Sequence, residues 1–209
     1  MNAETRWRHP TFTRLVAVVA WFGVVLQLAL TIRLVLSQGG TVPGALVIYL
    51  GYFTVLTNLL VAVSLSLPTR WFRSPGVATG VAVSIALVGL AYHLLLRHVW
   101  NPQGLQWLAD VTLHYITPLL CLLHWWLAVP PVRHAWHAPL TWAAWPMVYL
   151  VYALVRGHWL QSYPYPFIDV TVLGYRQTLL NAIGLLVVFL VMGLAFVAVA
   201  RWRLRRAVH

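Results

Sequence analysis

The sequence predicts an all-α protein, a bundle of six helices that cross a membrane. Of the 209 residues, 61% are apolar and 8% are charged, and the mean hydropathy is +0.79. A soluble domain of this composition would have too little polar surface to stay dispersed, so lipid is the predicted solvent for most of this surface. Six apolar stretches are each long enough to cross a hydrocarbon core of about 30 Å, which takes about 20 helical residues.

The six predicted helices are separated by short segments rich in Gly and Pro, such as residues 38–40, 130–131 and 163–166. No linker is long enough to separate two domains and no internal repeat is present, so residues 1–209 are predicted to form a single transmembrane domain. The first stretch is longer than the apolar part of a signal peptide and is predicted to remain as the first helix. The predicted spans are approximately 12–37, 44–68, 76–98, 107–129, 138–158 and 174–200.

The charged residues predict the orientation of the bundle. All fourteen basic residues are arginines, set against three acidic residues. They cluster at the ends of apolar stretches and no stretch resembles a nucleic-acid module, so we expect contact with the bilayer and no nucleic-acid partner. Ten arginines against four predict cytoplasmic termini, with loops 38–43, 99–106 and 159–173 outside. The ten on the cytoplasmic side are Arg6, Arg8, Arg14, Arg70, Arg73, Arg133, Arg201, Arg203, Arg205 and Arg206.

Polar side chains inside a membrane are costly and are functional candidates by default. In this orientation Thr54 lies roughly 15 Å and His114 roughly 10 Å below the outer surface, at 1.5 Å per helical residue. Asp110 and His114 are spaced i, i+4 and share a helical face. The polar groups therefore converge in the outer half of the bundle. The candidates are Thr54, Thr57 and Asn58 in the second helix, His93 in the third, Asp110 and His114 in the fourth, and Asn181 in the sixth.

These candidates also have structural interpretations. Thr and Asn in membrane helices most often bond a backbone carbonyl or a neighbouring helix, and we interpret His124, near the cytoplasmic end, as a packing residue. The pair Asp110 and His114 is different, because a buried carboxylate beside an imidazole stabilises and orients it. A hydroxyl, an imidazole and a carboxylate are the parts of a nucleophile, its base and the group that orients the base. Thr54 or Thr57 could supply the hydroxyl.

Three segments resemble a known family, the androgen-induced and androgen-dependent transmembrane proteins. Its animal members are intramembrane threonine hydrolases of fatty-acid esters of hydroxy fatty acids. Residues 52–54, Tyr-Phe-Thr followed by Val-Leu, look like the segment that holds the family's nucleophile. Residues 114–118, His-Tyr-Ile-Thr-Pro, look like the motif that holds the base, and residues 165–169, Tyr-Pro-Phe-Ile-Asp, resemble a Tyr-Pro-Phe-Leu-Glu stretch. The resemblance implies that Thr54 is the nucleophile and His114 the base.

The chain departs from the family pattern before His114. Where the animal members carry Asn-His-x-x-His, this sequence reads Asp110-Val-Thr-Leu-His114, so the first His is missing and Asp replaces Asn. We expect Asp110 to hold His114 in the useful tautomer. The small size and the absence of Lys predict a bacterial homologue, located in the cytoplasmic membrane.

The sequence-based hypothesis is therefore an intramembrane lipid-ester hydrolase whose substrate is a fatty-acid ester of a hydroxy fatty acid or a similar acyl ester. Asn58 and His93 are candidate oxyanion donors, and Thr57 and Asn181 candidate substrate contacts. Acyl transfer through the same site is an open alternative, as is a non-catalytic lipid-binding or small transporter-like protein. No cofactor and no metal site are expected, because the histidines lack the spacing of a haem or metal motif. The sequence does not fix the oligomeric state.

Overall fold

The structure, a computed structural model, describes Trp7, residues 9–67 and residues 69–207. These residues form α-helices and connecting segments with no strand among them, which confirms the predicted all-α, multi-pass class. Arg6, Arg8 and Pro68, which the sequence analysis uses, lie outside the described residues. The α-helices in the described part of the chain are α1 (Pro10–Ser37), α2 (Val42–Tyr49), α3 (Phe53–Ser66), α4 (Pro75–Ala91), α5 (Gly104–Val111), α6 (Thr117–Ala128), α7 (Ala138–Trp142), α8 (Ala144–Leu160) and α9 (Val170–Ala207).

Five helical stretches are long and apolar enough to cross a membrane, close to the predicted positions. The last of them is kinked at Gly174, whose φ of 71° and ψ of 161° are not helical. Proline stands in the first turn of several helices, where its missing N–H costs nothing and its fixed φ suits the helix. The stretches are Pro10–Ser37, Pro75–Leu96, Gly104–Ala128, Ala138–Leu160 and Val170–Ala207. The chain is therefore an integral, multi-pass membrane protein.

The second predicted span is a broken helix, and the prediction of one straight helix over 44–68 is wrong. α2 and α3 meet at an angle of 86° across the three residues 50–52. Backbone carbonyls freed by such a break must be satisfied inside the protein when lipid surrounds it. Side chains of α8 do this: the Tyr149 hydroxyl donates to Gly51 O (3.0 Å), the Tyr152 hydroxyl to Leu50 O (3.2 Å), and Arg156 Nε to Val47 O (3.2 Å).

Gly51 lets Arg156 of α8 and the Ile48 carbonyl approach the break closely. A Cβ atom placed on Gly51 would lie 2.8 Å from the Arg156 guanidinium carbon and 3.0 Å from Ile48 O. The break also changes the depth estimate for Thr54, because this residue lies in the first turn of α3 and not in the middle of a straight helix.

Two spans contain a π-helical turn. Residues Tyr92–Leu96 continue α4, and residues Thr112–Ile116 join α5 to α6. Wider turns of this kind occur frequently at functional sites. The two lie close together, since the Tyr92 ring stacks on the His114 ring at a centroid distance of 3.8 Å.

The helices pack around two central elements. α1 contacts α2, α3, α5 and α6, whereas α4 contacts α3, α6, α7 and α9. The apolar core between them includes Val61, Val83, Ile85 and Phe189, each fully buried. This packing brings the start of α3, the two π-helical turns and the loop before α9 to one end of the bundle, where the polar candidates lie.

Candidate active site

His114 has two ring nitrogens in different surroundings. Nδ1 lies 2.9 Å from the carbonyl oxygen of Asp110 and 3.2 Å from its carboxylate Oδ1. A carbonyl oxygen only accepts, so Nδ1 carries the hydrogen in the neutral ring and Nε2 carries the lone pair. Nε2 makes no hydrogen bond to any residue that the structure describes. The ring is therefore set up to take a proton at Nε2.

Asp110 is buried, at 4% exposure, and its carboxylate is held from a second side. The hydroxyl of Tyr92 donates to Oδ2 at 2.5 Å, and the Tyr92 ring stacks on His114 at an interplanar angle of 16°. Gly89, one turn before Tyr92, lets α4 approach this turn closely, because a Cβ there would lie 3.2 Å from His114 O. Tyr92 thus fixes the carboxylate and one face of the imidazole together.

Thr54 lies at the start of α3 and contacts the loop before α9. Its backbone N–H donates to the hydroxyl oxygen of Tyr165 (3.1 Å), and its Oγ1 lies 3.3 Å from the same oxygen. The first N–H groups of a helix have no intrahelical partner and lie at the positive end of the helix dipole. Burial raises the pKa of Tyr165 to about 12, so this phenol keeps its proton and can donate to Oγ1.

A cavity of about 350 Å³ unites these groups, and it is called the polar cavity below because several polar side chains interrupt its largely apolar lining. Thr54, Asp110 and His114 line it, so the structure brings all three predicted catalytic residues to one space. In the described part of the chain Thr54 and His114 are not hydrogen-bonded to each other. Long or indirect contacts between nucleophile and base are common in unliganded active sites. The remaining lining includes Gln27 and Gln106, whose amides bond each other at 2.9 Å.

A second, apolar cavity of about 90 Å³ adjoins the first. Four residues line both cavities, namely Thr54, Tyr92, Leu96 and Tyr165. The Tyr165 ring stacks on Phe167, with centroids 5.1 Å apart and planes 5° from parallel. Tyr165 therefore stands at the boundary between the two cavities, next to the Thr54 hydroxyl.

Thr57 and Asn58 are among the described residues that line neither cavity. Thr57 is fully buried and accepts a hydrogen bond from Trp145 Nε1 at 3.1 Å. Asn58 Nδ2 donates to Thr54 O (2.8 Å) and to Leu113 O (3.1 Å). Both of its amide hydrogens are thus used, which leaves none for an oxyanion. Asn58 instead ties the turn that carries Thr54 to the turn that carries His114.

His93 and Asn181 also lie away from the two cavities. His93 is exposed, with Nδ1 3.3 Å from the Tyr115 hydroxyl and Nε2 3.3 Å from Arg97. Asn181 Nδ2 donates to Phe167 O at 2.9 Å and holds the loop that carries Tyr165. His124 is buried in α6, ten residues after His114, and its Nε2 lies 2.9 Å from Thr13 Oγ1.

Comparisons of the chain with family models, with curated proteins and with solved structures found no match. Within the described residues, no group of three or more His, Cys, Asp or Glu side chains is placed to hold a metal ion.

Sequence reasoning missed the two tyrosines that complete the site. Tyr165 belongs to one of the three quoted segments, but its contact with Thr54 joins residues 111 positions apart. Tyr92 immediately precedes the candidate His93, and its contact with Asp110 joins residues 18 positions apart on different helices. A buried tyrosine usually has a hydrogen-bond partner for its hydroxyl. For both tyrosines, this rule is the one indication in the sequence of a polar partner nearby.

Proposed function

We propose that this protein is an intramembrane lipid-ester hydrolase with Thr54 as nucleophile and His114 as general base. The observation that supports it best is convergence: the three separate segments that carry the family resemblance contribute Thr54, His114 and Tyr165 to the lining of one cavity. The fixed tautomer of His114 leaves Nε2 as the proton acceptor on that cavity wall. A fatty-acid ester of a hydroxy fatty acid, or a similar acyl ester, is the proposed substrate class, and a bacterial cytoplasmic membrane the proposed location.

The proposed reaction has two stages. His114 Nε2 takes the Thr54 hydroxyl proton, directly or through one water, while Oγ1 attacks the acyl carbon. The ester C–O bond then breaks, and the alcohol leaves with the proton from His114. In the second stage His114 takes a proton from water while the water oxygen attacks the acyl carbon of the acyl-threonine. The bond from that carbon to Thr54 Oγ1 then breaks, Oγ1 takes the proton back from His114, and the carboxylic acid departs. No other co-reactant is needed.

The start of α3 supplies the electrostatic part of the proposal. Negative charge that develops on the acyl oxygen needs hydrogen-bond donors held in place beforehand. The Thr54 N–H, at the positive end of α3, is such a donor once the substrate oxygen displaces the Tyr165 hydroxyl from it. Tyr165 would then remain within reach of Thr54 Oγ1, where it lowers the cost of forming the alkoxide.

A second candidate function is lipid or solute binding by a non-catalytic or transporter-like protein. The broken span formed by α2 and α3 favours it, because discontinuous helices form the binding sites of many transporters. Such a protein would have no use for a base and a hydroxyl that line the same cavity. The two functions differ in whether Thr54 becomes covalently modified.

The deciding experiment is covalent labelling of the purified protein with a fluorophosphonate probe, together with hydrolysis of p-nitrophenyl esters. Thr54→Ala should abolish both, and Thr54→Ser should retain part of both because the hydroxyl survives. His114→Ala should reduce labelling by at least about 100-fold. Thr57→Ala is the matched control, since its hydroxyl faces Trp145 and away from the cavities, and it should keep turnover. Labelling that survives Thr54→Ala would remove the covalent-threonine mechanism.

A further inference from the structure

The apolar cavity beside Thr54 lies between the start of α3, the end of α4 and helices α8 and α9. None of the described residues that line it is charged. Three of the residues that bring hydroxyls to it, Thr54, Tyr92 and Tyr165, also line the polar cavity. The hydroxyl of Tyr149, which lines the apolar cavity alone, is bonded to Gly51 O. Such a space offers nothing to a headgroup, a carboxylate or a sugar.

The volumes of the two cavities also differ. The apolar cavity, about 90 Å³, has room for a segment of one unbranched chain and not for a bulky group. The polar cavity, about 350 Å³, is almost four times larger and is lined by Gln27, Thr31, Gln106 and Asp110. It has room and hydrogen-bonding groups for a bulkier, partly polar substituent.

The apolar cavity is bordered by residues on the outer surface of the bundle. Met147 of α8 is 41% exposed, and Ala182 and Leu185 of α9 are half-buried. Neighbouring residues such as Val148 and Ile183 are apolar and exposed, at 65% and 57%, as is typical of surface that faces lipid. The apolar cavity therefore borders surface that faces lipid, on the side formed by α8 and α9.

We infer that the ester binds in one direction, with its acyl chain in the apolar cavity and its alcohol part in the polar cavity, so that residues of α8 and α9 set acyl-chain selectivity. This inference rests on the proposed function for the ester and its cleavage. The scissile carbonyl then lies at Thr54, the residue common to both cavities. Because the chain comes from lipid, packing against the cavity walls and not removal from water determines which acyl chains are preferred.

The test compares p-nitrophenyl butyrate with p-nitrophenyl laurate, using protein reconstituted in lipid nanodiscs. Ala182→Phe, which fills the apolar cavity, should lower kcat/KM for laurate by about tenfold or more and leave butyrate within about twofold. Ala195→Phe is the matched control, because Ala195 lies on the same helix but is exposed and lines neither cavity. Leu186→Ala, which enlarges the cavity, should shift preference from laurate toward palmitate.

Equal losses for butyrate and laurate in Ala182→Phe, with no shift in Leu186→Ala, would overturn the inference while leaving the hydrolase intact. A change of acyl preference caused by Leu34→Phe, in the polar cavity, would reverse the proposed direction. If the wild-type protein hydrolyses neither ester, the proposed function fails separately. Photo-crosslinking with diazirine-palmitate then still tests the cavity: labelling near Leu185 that Ala182→Phe blocks supports an acyl-chain site, and its absence overturns it.

Discussion

At the scale of single residues, the tautomer of His114 depends on a backbone atom. Its Nδ1–H points to the carbonyl oxygen of Asp110 at 2.9 Å, and the carboxylate Oδ1 is 3.2 Å away. From the sequence we expect the Asp110 side chain to hold this tautomer, whereas in the structure the main-chain carbonyl of Asp110 lies closer to Nδ1. A substitution of that side chain leaves the carbonyl in place, so it removes negative charge beside the imidazole without exchanging the two nitrogens.

Asp110→Asn should therefore lower kcat by about 10- to 100-fold, through weaker stabilisation of the imidazolium. A tautomer error in a serine protease costs on the order of 10⁴ in kcat, and the loss here should be smaller. Ester hydrolysis, with fluorophosphonate labelling in parallel, measures it. Asp169→Asn is the control, because Asp169 caps the start of α9 through Thr171 and lies outside both cavities. Wild-type activity in Asp110→Asn would reduce the site to Thr54 and His114.

Tyr165 is the second residue whose hydroxyl meets the reacting atoms. Tyr165→Phe keeps the ring that stacks on Phe167 but removes the group beside Thr54 N and Oγ1. We expect kcat to fall by about tenfold or more. Because burial raises the pKa of Tyr165 to about 12, the hydroxyl stays protonated and the loss should be the same at every pH at which the protein is folded. Steady-state kinetics over a pH series measure this.

Tyr163→Phe is the matched control for Tyr165→Phe, since Tyr163 lies in the same loop and lines neither cavity. It should behave like the wild-type protein. Equal effects of the two substitutions would assign the loss to the loop as a whole. A loss in Tyr165→Phe that grows at alkaline pH would show instead that the phenol acts through its ionised form.

At the scale of helices, the break between α2 and α3 depends on hydrogen bonds from α8. The Tyr149 hydroxyl is buried and donates to Gly51 O, whereas the more exposed Tyr152 donates to Leu50 O. Tyr149→Phe leaves a buried carbonyl without a partner, which should lower the free energy of unfolding by about 1–3 kcal/mol. The loss in Tyr152→Phe should be smaller, and Tyr175→Phe, at an exposed site, should have no effect.

Thermal unfolding in detergent, followed by circular dichroism, ranks these three variants. The expected order of destabilisation is Tyr149→Phe, then Tyr152→Phe, then Tyr175→Phe. Because the break places Thr54 in the first turn of α3, Tyr149→Phe should also reduce ester hydrolysis. Equal stability of all three variants would contradict the assigned role of α8 at the break.

The helices could be predicted from the sequence, but their irregular turns could not. The apolar runs gave the spans to within a few residues because length and polarity in a bilayer are local properties. The break at residues 50–52 falls within an apolar run, and its partners lie about 100 residues away on α8. The same holds for the contact of Tyr165 with Thr54 and for the Asn58 bonds to Leu113 O. Of these site contacts, only the one between Asp110 and His114 joins residues one helical turn apart, so only this contact could be predicted from neighbouring residues in the sequence.

At the scale of the whole molecule, arginines and tryptophans meet at the end opposite the site. Arg201 lies over the Trp136 ring at 4.6 Å, and Arg206 over the Trp202 ring at 4.2 Å. Arg and Trp side chains together are typical of a membrane interface. Counting α2 and α3 as one span, six spans put both ends of the described chain on the same side.

The predicted orientation can be tested by cysteine labelling in intact cells. Ser37→Cys and Ser162→Cys, at exposed positions near the site end, should react with an impermeant maleimide. Arg70→Cys, at the opposite end, should react only after the membrane is opened. Cys121 is buried and should give little background. The reverse pattern would place the candidate site at the cytoplasmic face and invert the positive-inside assignment.

The π-helical turn at Thr112–Ile116 makes the geometry of the site depend on the number of residues in this span. Such a turn holds about one residue more than an α-helical turn. Deleting one residue between Asp110 and His114 would restore a regular α-helical turn and change the spacing of the pair from i, i+4 to i, i+3, while the helix after the turn would keep its facing. Cys121, His124 and Trp125, all buried, would keep their neighbours, so the damage would be confined to the site. Among chains that share this architecture, an alignment gap of one residue in the fourth span would mark the loss of the site more clearly than most substitutions.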